Sequence, residues 1–227
     1  MKKIYETRVE PPYDQIVPVY QVAYAGNPWY EVSKCADTEK TRRCAGGLSS
    51  LALGQTCEIC GNSPSEAAYK AEELIKTFKE VAERRPSTWY TEEGEVGLTL
   101  AAFAWTATPL VIANEKYSDV PAMKDWLSDN FGSNNLLWLD EIFADLEKSP
   151  SGNLANFKQM CLTMAKSLEC QTIAFRTKNE RLLSSVKNNF GEKATVYGRL
   201  SETSKEQKLK VPDRRDFVVI DLDEVEQ

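Results

Sequence analysis

The sequence contains no histidine among its 227 residues. Histidine has the ordinary pKa nearest to neutrality, and it is the base of Ser-His-Asp and Cys-His hydrolases. Its absence excludes those two mechanisms and every metal site that needs an imidazole ligand. Any acid or base catalysis must therefore use carboxylates, tyrosine, cysteine, lysine or water.

The chain also lacks a long apolar run and an excess of positive charge. It has no stretch of about eighteen apolar residues that could cross a membrane, and residues 1–8 lack the apolar segment of a signal peptide, so we expect a cytoplasmic protein without a membrane partner. The net charge of −6 and a pI near 5.0 suit a cationic substrate or partner. Nucleic-acid binding through a patch of Lys40, Arg42 and Arg43 is the weakest functional hypothesis.

The length and composition favour one globular unit. With 42% hydrophobic and 27% charged residues, a chain of this length can bury a full core. We expect a single domain over residues 1–227, with a loop of residues 32–62 inserted near its beginning.

Four of the six cysteines have a spacing typical of a metal-stapled loop. Cys57 and Cys60 are separated by two residues and followed by glycine, which places both thiolates on one tight turn, and Cys35 and Cys44 provide a second pair. The eight residues between Cys35 and Cys44 exceed the usual gap. We predict a structural zinc site with these four ligands; the alternative is four free or disulfide-bonded thiols.

Hydrophobic periodicity predicts alternating helices and strands. Two capping boxes, Ser63 with Glu66 and Thr177 with Glu180, are predicted to start helices. Cys161 and Cys170 follow the apolar pattern of a late helix and are expected in the core. The predicted elements are a strand near Lys3–Val9, a helix over Tyr13–Ala25, a helix from Ser63 to about Arg85, strands at Thr88–Glu92 and Val96–Thr106, a short helix around Ala122–Asn130, a strand at Leu136–Ala144, a helix through Leu154–Leu168, a strand at Thr172–Arg176, a helix from Thr177 through Val186, and strands at Ala194–Leu200 and Asp216–Leu222.

This order of elements, with several short segments, resembles the GNAT acyltransferase superfamily from about Pro11 to the end. The segments are Asp140–Asp145, Ser149–Leu154, Arg176–Arg181 and Asn188–Gly191. Gly26–Glu31, followed by cysteines, is similar to bacterial members with a zinc loop between the first two helices. The resemblance implies an α/β (α+β) fold with a mixed central sheet flanked by helices and a small zinc-stapled insertion.

The resemblance implies acetyl-CoA as cosubstrate. Backbone N–H groups of the turn that contains Ser149, Ser151, Gly152, Asn153 and Leu154 would hold its pyrophosphate. The strand edge at Ile142, Phe143 and Ala144 would grip the pantetheine. Asn179 would contribute to the cofactor site, although an asparagine beside a helix start is often only a local cap.

Three positions depart from the pattern of the superfamily. Its pyrophosphate loop usually begins with arginine or glutamine and ends with a small residue, whereas this chain has Ser149 and Leu154. Its frequent general acid is a tyrosine on the last helix, and the corresponding position here is Val186. Tyr197 or water is expected to replace that acid.

A carboxylate on the strand before the turn is the natural base for an attacking amine. Because side chains alternate along a strand, Asp140 and Glu141 are expected on opposite faces. We favour Glu141, expected on the face of Leu137, Leu139 and Phe143, where apolar surroundings would raise its pKa. The alternative is that the strand carboxylate pairs with a lysine or arginine across the sheet.

Two functions remain open. The first is an N-acyltransferase that moves acetyl from acetyl-CoA to a primary amine of a cationic acceptor, either a small molecule or a protein. The second is a catalytically degenerate GNAT-like binding protein that acts through its zinc loop or the Trp29 surface. Trp29 and Tyr30 would line an acceptor cleft or serve only in packing.

Overall fold

A computed structural model describes residues 1–6, 9–26, 29–35, 48–50, 52–57, 60–61, 65–95, 97–118, 121–145, 148, 156–197 and 215–222. These residues contain ten strands and six helices. In chain order they are β1 (Lys2–Glu6), α1 (Tyr13–Ala25), β2 (Ser33–Cys35), β3 (Leu48–Ser49), β4 (Ser65–Ala67), α2 (Ala71–Arg84), β5 (Ser87–Gly94), β6 (Gly97–Ala107), α3 (Pro109–Lys116), α4 (Pro121–Phe131), β7 (Leu136–Ala144), α5 (Phe157–Ser167), β8 (Thr172–Thr177), α6 (Glu180–Phe190), β9 (Ala194–Tyr197) and β10 (Asp216–Asp221).

Seven of these strands form one mixed sheet in the order β1-β5-β6-β7-β8-β10-β9. The pairs are antiparallel except for β7 with β8, which run in parallel. Helix α5 crosses between these two parallel strands, as parallel pairing requires. The predicted mixed sheet flanked by helices is therefore confirmed.

The sheet buries both of its faces. Helices α1 to α4 supply the apolar side chains of one core, which includes Ile16, Phe78, Ile112 and Leu127. Helices α5 and α6 cover the opposite face, and Phe157 and Val186 belong to that second core. Cys161 and Cys170 are buried in the second core, as predicted.

Most predicted elements are present with small changes at their ends, but both predicted capping boxes are wrong. Glu66 lies in β4, where it pairs with Lys34 of β2, and α2 begins only at Ala71. Ser63 lies outside the described residues. At α6 the cap is Asn179, whose side chain accepts hydrogen bonds from the backbone N–H groups of Arg181 and Leu182.

A second, three-stranded sheet has the order β3-β2-β4. Strand β2 pairs in antiparallel fashion with both neighbours, and Cys35 at its end faces Ser65 of β4. This small sheet joins α1 to α2. Among the described residues, no helix combines the length and apolar character needed to cross a membrane.

Candidate active site

A cavity of about 820 Å³ opens where β7 and β8 separate. The register of these two strands contains the pairs Leu137 with Ile173 and Trp138 with Ala174, while β7 continues to Ala144 and β8 continues to Thr177. Beyond the paired residues, the two strands diverge and leave the opening. Residues of β7 and of the C-terminal end of β8 line it.

A β-bulge in β7 brings two carboxylates to one face of the sheet. The register between β6 and β7 shifts so that Phe103 pairs with Glu141 but Ala104 pairs with Leu139, which leaves Asp140 as the extra residue. The expectation that Asp140 and Glu141 point to opposite faces is therefore wrong. Both contact residues of the face that α1 to α4 cover.

The bulge also corrects the predicted surroundings of Glu141. Leu137 and Leu139 belong to the core under α5 and α6, whereas Phe143 belongs to the core on the opposite face, with the α1 residues that Glu141 contacts. Only Phe143 therefore shares a face with Glu141. Strict alternation fails here because the bulge inserts one residue between Leu139 and Glu141.

Glu141 has the properties of a base poised near neutral pH. The Tyr24 hydroxyl donates a hydrogen bond to Glu141 Oε2. Burial raises the pKa of Glu141 to about 7, and the negative charge of Asp140 adds to this effect. The hydrogen bond from Tyr24 and the positive charges of Lys116 and Arg215 act in the opposite direction. Near neutrality, both protonation states of this carboxyl group are populated.

Asp140 has the opposite electrostatic environment. Burial alone would raise its pKa, but an ion pair with Lys116 at 2.5 Å and hydrogen bonds from the Trp105 and Trp138 indoles outweigh burial and lower it. A strand carboxylate is thus paired with a lysine, but this lysine comes from a helix and not from across the sheet, as the alternative considered from the sequence supposed. Lys116 belongs to α3, which was not among the helices predicted from the sequence.

The cavity wall opposite β7 is rich in tyrosine and tryptophan. Tyr20 and Tyr24 of α1 stack at 4.4 Å between ring centroids, and Tyr24 also contacts the rings of Trp29 and Tyr69. The Tyr69 hydroxyl donates a hydrogen bond to Glu31. Burial raises the pKa of Tyr24 and of Tyr69 above the ordinary tyrosine value, so these hydroxyls stay protonated.

The rim of the cavity carries positive charge. Arg176 of β8, Lys178, Arg181 of α6 and Arg215 line it. Lys178 Nζ lies 4.1 Å from the centroid of the Trp29 ring, and the Arg176 guanidinium lies 5.3 Å from that of Tyr117. The cavity therefore combines cations at its rim with carboxylates and tyrosines inside, an arrangement that suits an anionic cofactor and a cationic acceptor.

The residues predicted to bind a cofactor fall into two groups. Ile142, Phe143, Ala144 and Asn179 line the cavity. Asn179 is also the α6 cap, which was the alternative reading of this residue. The predicted pyrophosphate turn lies outside the described residues; this applies to Ser149, Ser151, Gly152, Asn153 and Leu154.

Tyr197, the residue considered for the general acid, and Val186, which replaces the superfamily's tyrosine, both lie away from the opening. Tyr197 packs against Trp126 and Phe217 and is not among the residues that line the cavity. Val186 is fully buried against the second core. A tyrosine at that position would have to displace core side chains.

Three of the four predicted zinc ligands are brought together. One sulfur atom from each of Cys35, Cys57 and Cys60 lies within 4.8 Å of the other two, and the Cys35 and Cys60 sulfur atoms are 3.7 Å apart. Tetrahedral zinc with bonds of about 2.3 Å to each sulfur requires ligand separations of this order. Cys44 lies outside the described residues.

Sequence reasoning missed the tyrosines around Glu141 and the lysine beside Asp140. A signal for Tyr20 and Tyr24 was available, since they are four residues apart on a predicted helix and therefore share one face. Tyr69 had no such signal, because its position depends on the pairing of β4 with β2. The Thr108 cap, followed by Pro109, could have indicated α3 and with it Lys116.

Comparison with known proteins identifies similar solved structures but no family. No family model matches the sequence, and no curated protein matches it. A mosquito arylalkylamine N-acetyltransferase like 5b is 10% identical, with 97% of this chain and 100% of that chain covered and a TM-score of 0.48. A Drosophila melanogaster polyamine N-acetyltransferase, which forms N-acetylagmatine, is 12% identical, with 96% and 98% covered and a TM-score of 0.45.

An N-acetyltransferase from Staphylococcus aureus is 12% identical, with 98% of this chain and 99% of that chain covered and a TM-score of 0.44. Similarity at this level does not extend to activity or to individual residues. The function must therefore be inferred from the site itself.

Proposed function

We propose that this chain is an N-acyltransferase that moves an acetyl group from acetyl-CoA to a primary amine. The observation that carries the proposal is Glu141, a carboxyl group with a pKa of about 7 inside the opening between two diverging parallel strands. An amine must lose a proton to attack a thioester, and a base with a pKa near the working pH removes it best.

The proposed reaction needs one proton acceptor and one leaving group. The amine nitrogen attacks the thioester carbonyl carbon, and Glu141 takes the proton from that nitrogen directly or through one water. The carbon–sulfur bond then breaks, and CoA leaves as a thiolate. A thiolate is a tolerable leaving group near neutral pH, so the reaction does not require Tyr197 or another enzymatic acid; solvent can protonate the thiolate afterwards.

The cofactor would enter along β7. Its backbone at Ile142, Phe143 and Ala144 lies where β8 has moved away, and an extended pantetheine chain could pair with such an edge as another strand would. The cations at the rim would attract its phosphates. The segment around Gly152, for which the sequence predicts a turn, would hold the pyrophosphate through backbone N–H groups, and Asn179 would contact the cofactor while it caps α6.

The acceptor would bind against the tyrosine and tryptophan wall. Tyr24, Trp29 and Tyr69 present aromatic rings to the cavity, and Glu31 adds a negative charge. Aromatic faces and carboxylates both attract organic ammonium groups. Lys178 Nζ lies 4.1 Å from the centroid of the Trp29 ring, so the geometry of this ring suits an alkylammonium group. The acceptor class that fits is a cationic amine.

We also propose a structural zinc ion held by Cys35, Cys44, Cys57 and Cys60. The convergence of three of these sulfur atoms supports it, and so does the small size of the surrounding core, which among the described residues consists of Cys35, Cys57 and Cys60 alone. Zinc bound to four thiolates would stabilise the fold of the loop and would leave no open position for chemistry.

One observation favours a second function, that of a catalytically degenerate binding protein. The tyrosine that the superfamily uses as general acid is replaced by Val186, which is locked in the core. A chain without that acid could keep the cofactor cavity without catalysing transfer. It would then bind a ligand through the cavity or a partner through its zinc loop.

Two measurements separate these functions. Acetyl-CoA titration with a thermal-shift readout tests binding, because a ligand at a hundred times its Kd stabilises the native state by about 2.7 kcal/mol. Mass spectrometry of primary amines incubated with acetyl-CoA and the protein tests transfer. Binding with transfer that is lost in Glu141→Gln supports the enzyme, and binding without transfer supports the degenerate protein. No shift at millimolar CoA contradicts the enzyme.

A further inference from the structure

A lysine, a carboxylate and two indoles form a cluster beside the proposed base. Lys116 Nζ lies 2.5 Å from Asp140 Oδ1. Trp138 Nε1 donates a hydrogen bond to the same oxygen at 2.9 Å, and Trp105 Nε1 donates one to Oδ2 at 3.1 Å. Both oxygens of Asp140 are therefore held by groups from three different elements: α3, β6 and β7.

The cluster is rigid because its anchors are buried. Trp105 and Trp138 are at most 1% exposed, so their indole N–H groups point from fixed positions in the core. Lys116 and Asp140 retain side-chain exposures of only 22% and 17%. A charge pair of this kind is weakly screened by salt, and its field reaches neighbouring groups more strongly than a surface pair would.

The bulge gives this cluster its relation to Glu141. Asp140 is the inserted residue, so holding its carboxylate also holds the irregular backbone that turns Glu141 toward the cavity. Lys116, Asp140 and Glu141 all line that cavity. Because Asp140 precedes Glu141 directly, its negative charge opposes ionisation of Glu141, while the lysine charge favours it.

We propose that Asp140 and Lys116 are positioning residues that fix Glu141 at the bulge and tune its proton affinity in opposite directions. This inference rests on the proposed function of Glu141 as base. Other charged or titratable groups also face Glu141. They are Tyr20 and Tyr24 of α1, Tyr69 and Glu31 of the opposite wall, and Arg215 before β10.

The test compares two single charge removals by the pH dependence of kcat/KM. Asp140→Asn removes the repelling charge and leaves Lys116 uncompensated, so the acid limb should move to lower pH. Lys116→Gln leaves Asp140 uncompensated, so the limb should move to higher pH. Each shift should be on the order of one pH unit. Asp129→Asn and Lys124→Gln, which remove the same charges from exposed positions on α4, should leave the limb in place.

Shifts of the acid limb in the same direction, or no shift in either variant, would overturn the inference. A merely structural role would change kcat without moving the acid limbs of the two variants in opposite directions. If Asp140→Asn fails to fold, the direction found for Lys116→Gln alone decides.

A second readout does not require activity. Carbon-13 NMR titration of the side-chain carboxyl groups, with Glu141 assigned by its absence in Glu141→Gln, should give the same opposite shifts. If transfer activity is absent but these shifts appear, the proposed function is wrong, and the proposed effect of Asp140 and Lys116 on Glu141 is supported. If the enzyme is active and the Glu141 resonance titrates identically in both variants, the proposed effect of Asp140 and Lys116 is wrong, and the proposed function is unaffected.

Discussion

Replacing Glu141 by glutamine should remove most of the transfer activity and stabilise the protein at alkaline pH. Glutamine keeps the size of the side chain and an oxygen that can accept the hydrogen bond from Tyr24. It removes the carboxylate charge, which the folded state holds in a buried position and the unfolded chain exposes to water. The energetic cost of that burial therefore disappears in the variant.

The magnitude follows from the shifted pKa. Each tenfold change in acidity is about 1.4 kcal/mol, so the rise from the ordinary value of 4.5 to about 7 corresponds to about 3 kcal/mol. Because the folded pKa lies above the unfolded one, the stability linked to protonation is present below pH 4.5 and is lost as pH rises through 7. The stability gained by Glu141→Gln should therefore grow by about 2.5 kcal/mol between pH 5 and pH 8.

Urea unfolding at several pH values measures this difference directly, and the melting temperature of a chain this size should change by roughly 5 to 10 °C at pH 8. Glu192→Gln, on an exposed position after α6, is the matched control and should give the same stability difference at every pH. A Glu141→Gln variant whose stability relative to the parent is equal at pH 5 and pH 8 would show that Glu141 is not a buried carboxylate with a raised pKa.

Further perturbations test other parts of the account. Tyr24→Phe removes a hydrogen bond that favours the ionised form of Glu141, so the acid limb of kcat/KM should move to higher pH. Tyr30→Phe, at an exposed position, should not move the limb. A shift to lower pH in Tyr24→Phe would contradict the role of this hydrogen bond. Zinc analysis should find about one ion per chain. Metal removal should raise the KM for the amine more than the KM for acetyl-CoA, because the pairing of β2 with β4 supports the acceptor wall. Metal-free protein with full thermal stability would contradict a structural zinc site. Val186→Tyr should destabilise the protein by about 1 to 3 kcal/mol through overpacking, as denaturant unfolding would show, and faster transfer without destabilisation would contradict its place in the core.

Much of the fold was predictable because long periodic segments dominate it. The bounds of α1 and β7 were predicted to the residue, since apolar spacing and a following glycine mark the end of α1, and a continuous apolar run marks β7. The predicted start of α2 was wrong because Ser63, Pro64 and Glu66 have the residue types and spacing of a capping box. Pairing of Glu66 with Lys34 of β2, a contact distant in sequence, decides the structure there instead.

The candidate site was predictable only in part, for a similar reason. Glu141 could be selected because it is a carboxylate on an apolar strand. The face of Glu141 could not be predicted, because the bulge at Asp140 leaves no local signal and changes which residues before and after it share a face. Tyr24 of α1 and Lys116 of α3 reach the two carboxylates from helices, and their approach depends on packing rather than on local pattern.

The central claim is that Glu141 accepts a proton from an amine that attacks acetyl-CoA. Its most direct test is the rate of acetyl transfer to a cationic primary amine, measured by mass spectrometry of the product from pH 5 to pH 9 in the parent and in Glu141→Gln. With Glu141 as the base, kcat/KM in the parent should rise through a pKa of about 7, and the variant should lose this dependence and most of its rate. Equal transfer rates in the two proteins across this range would contradict it.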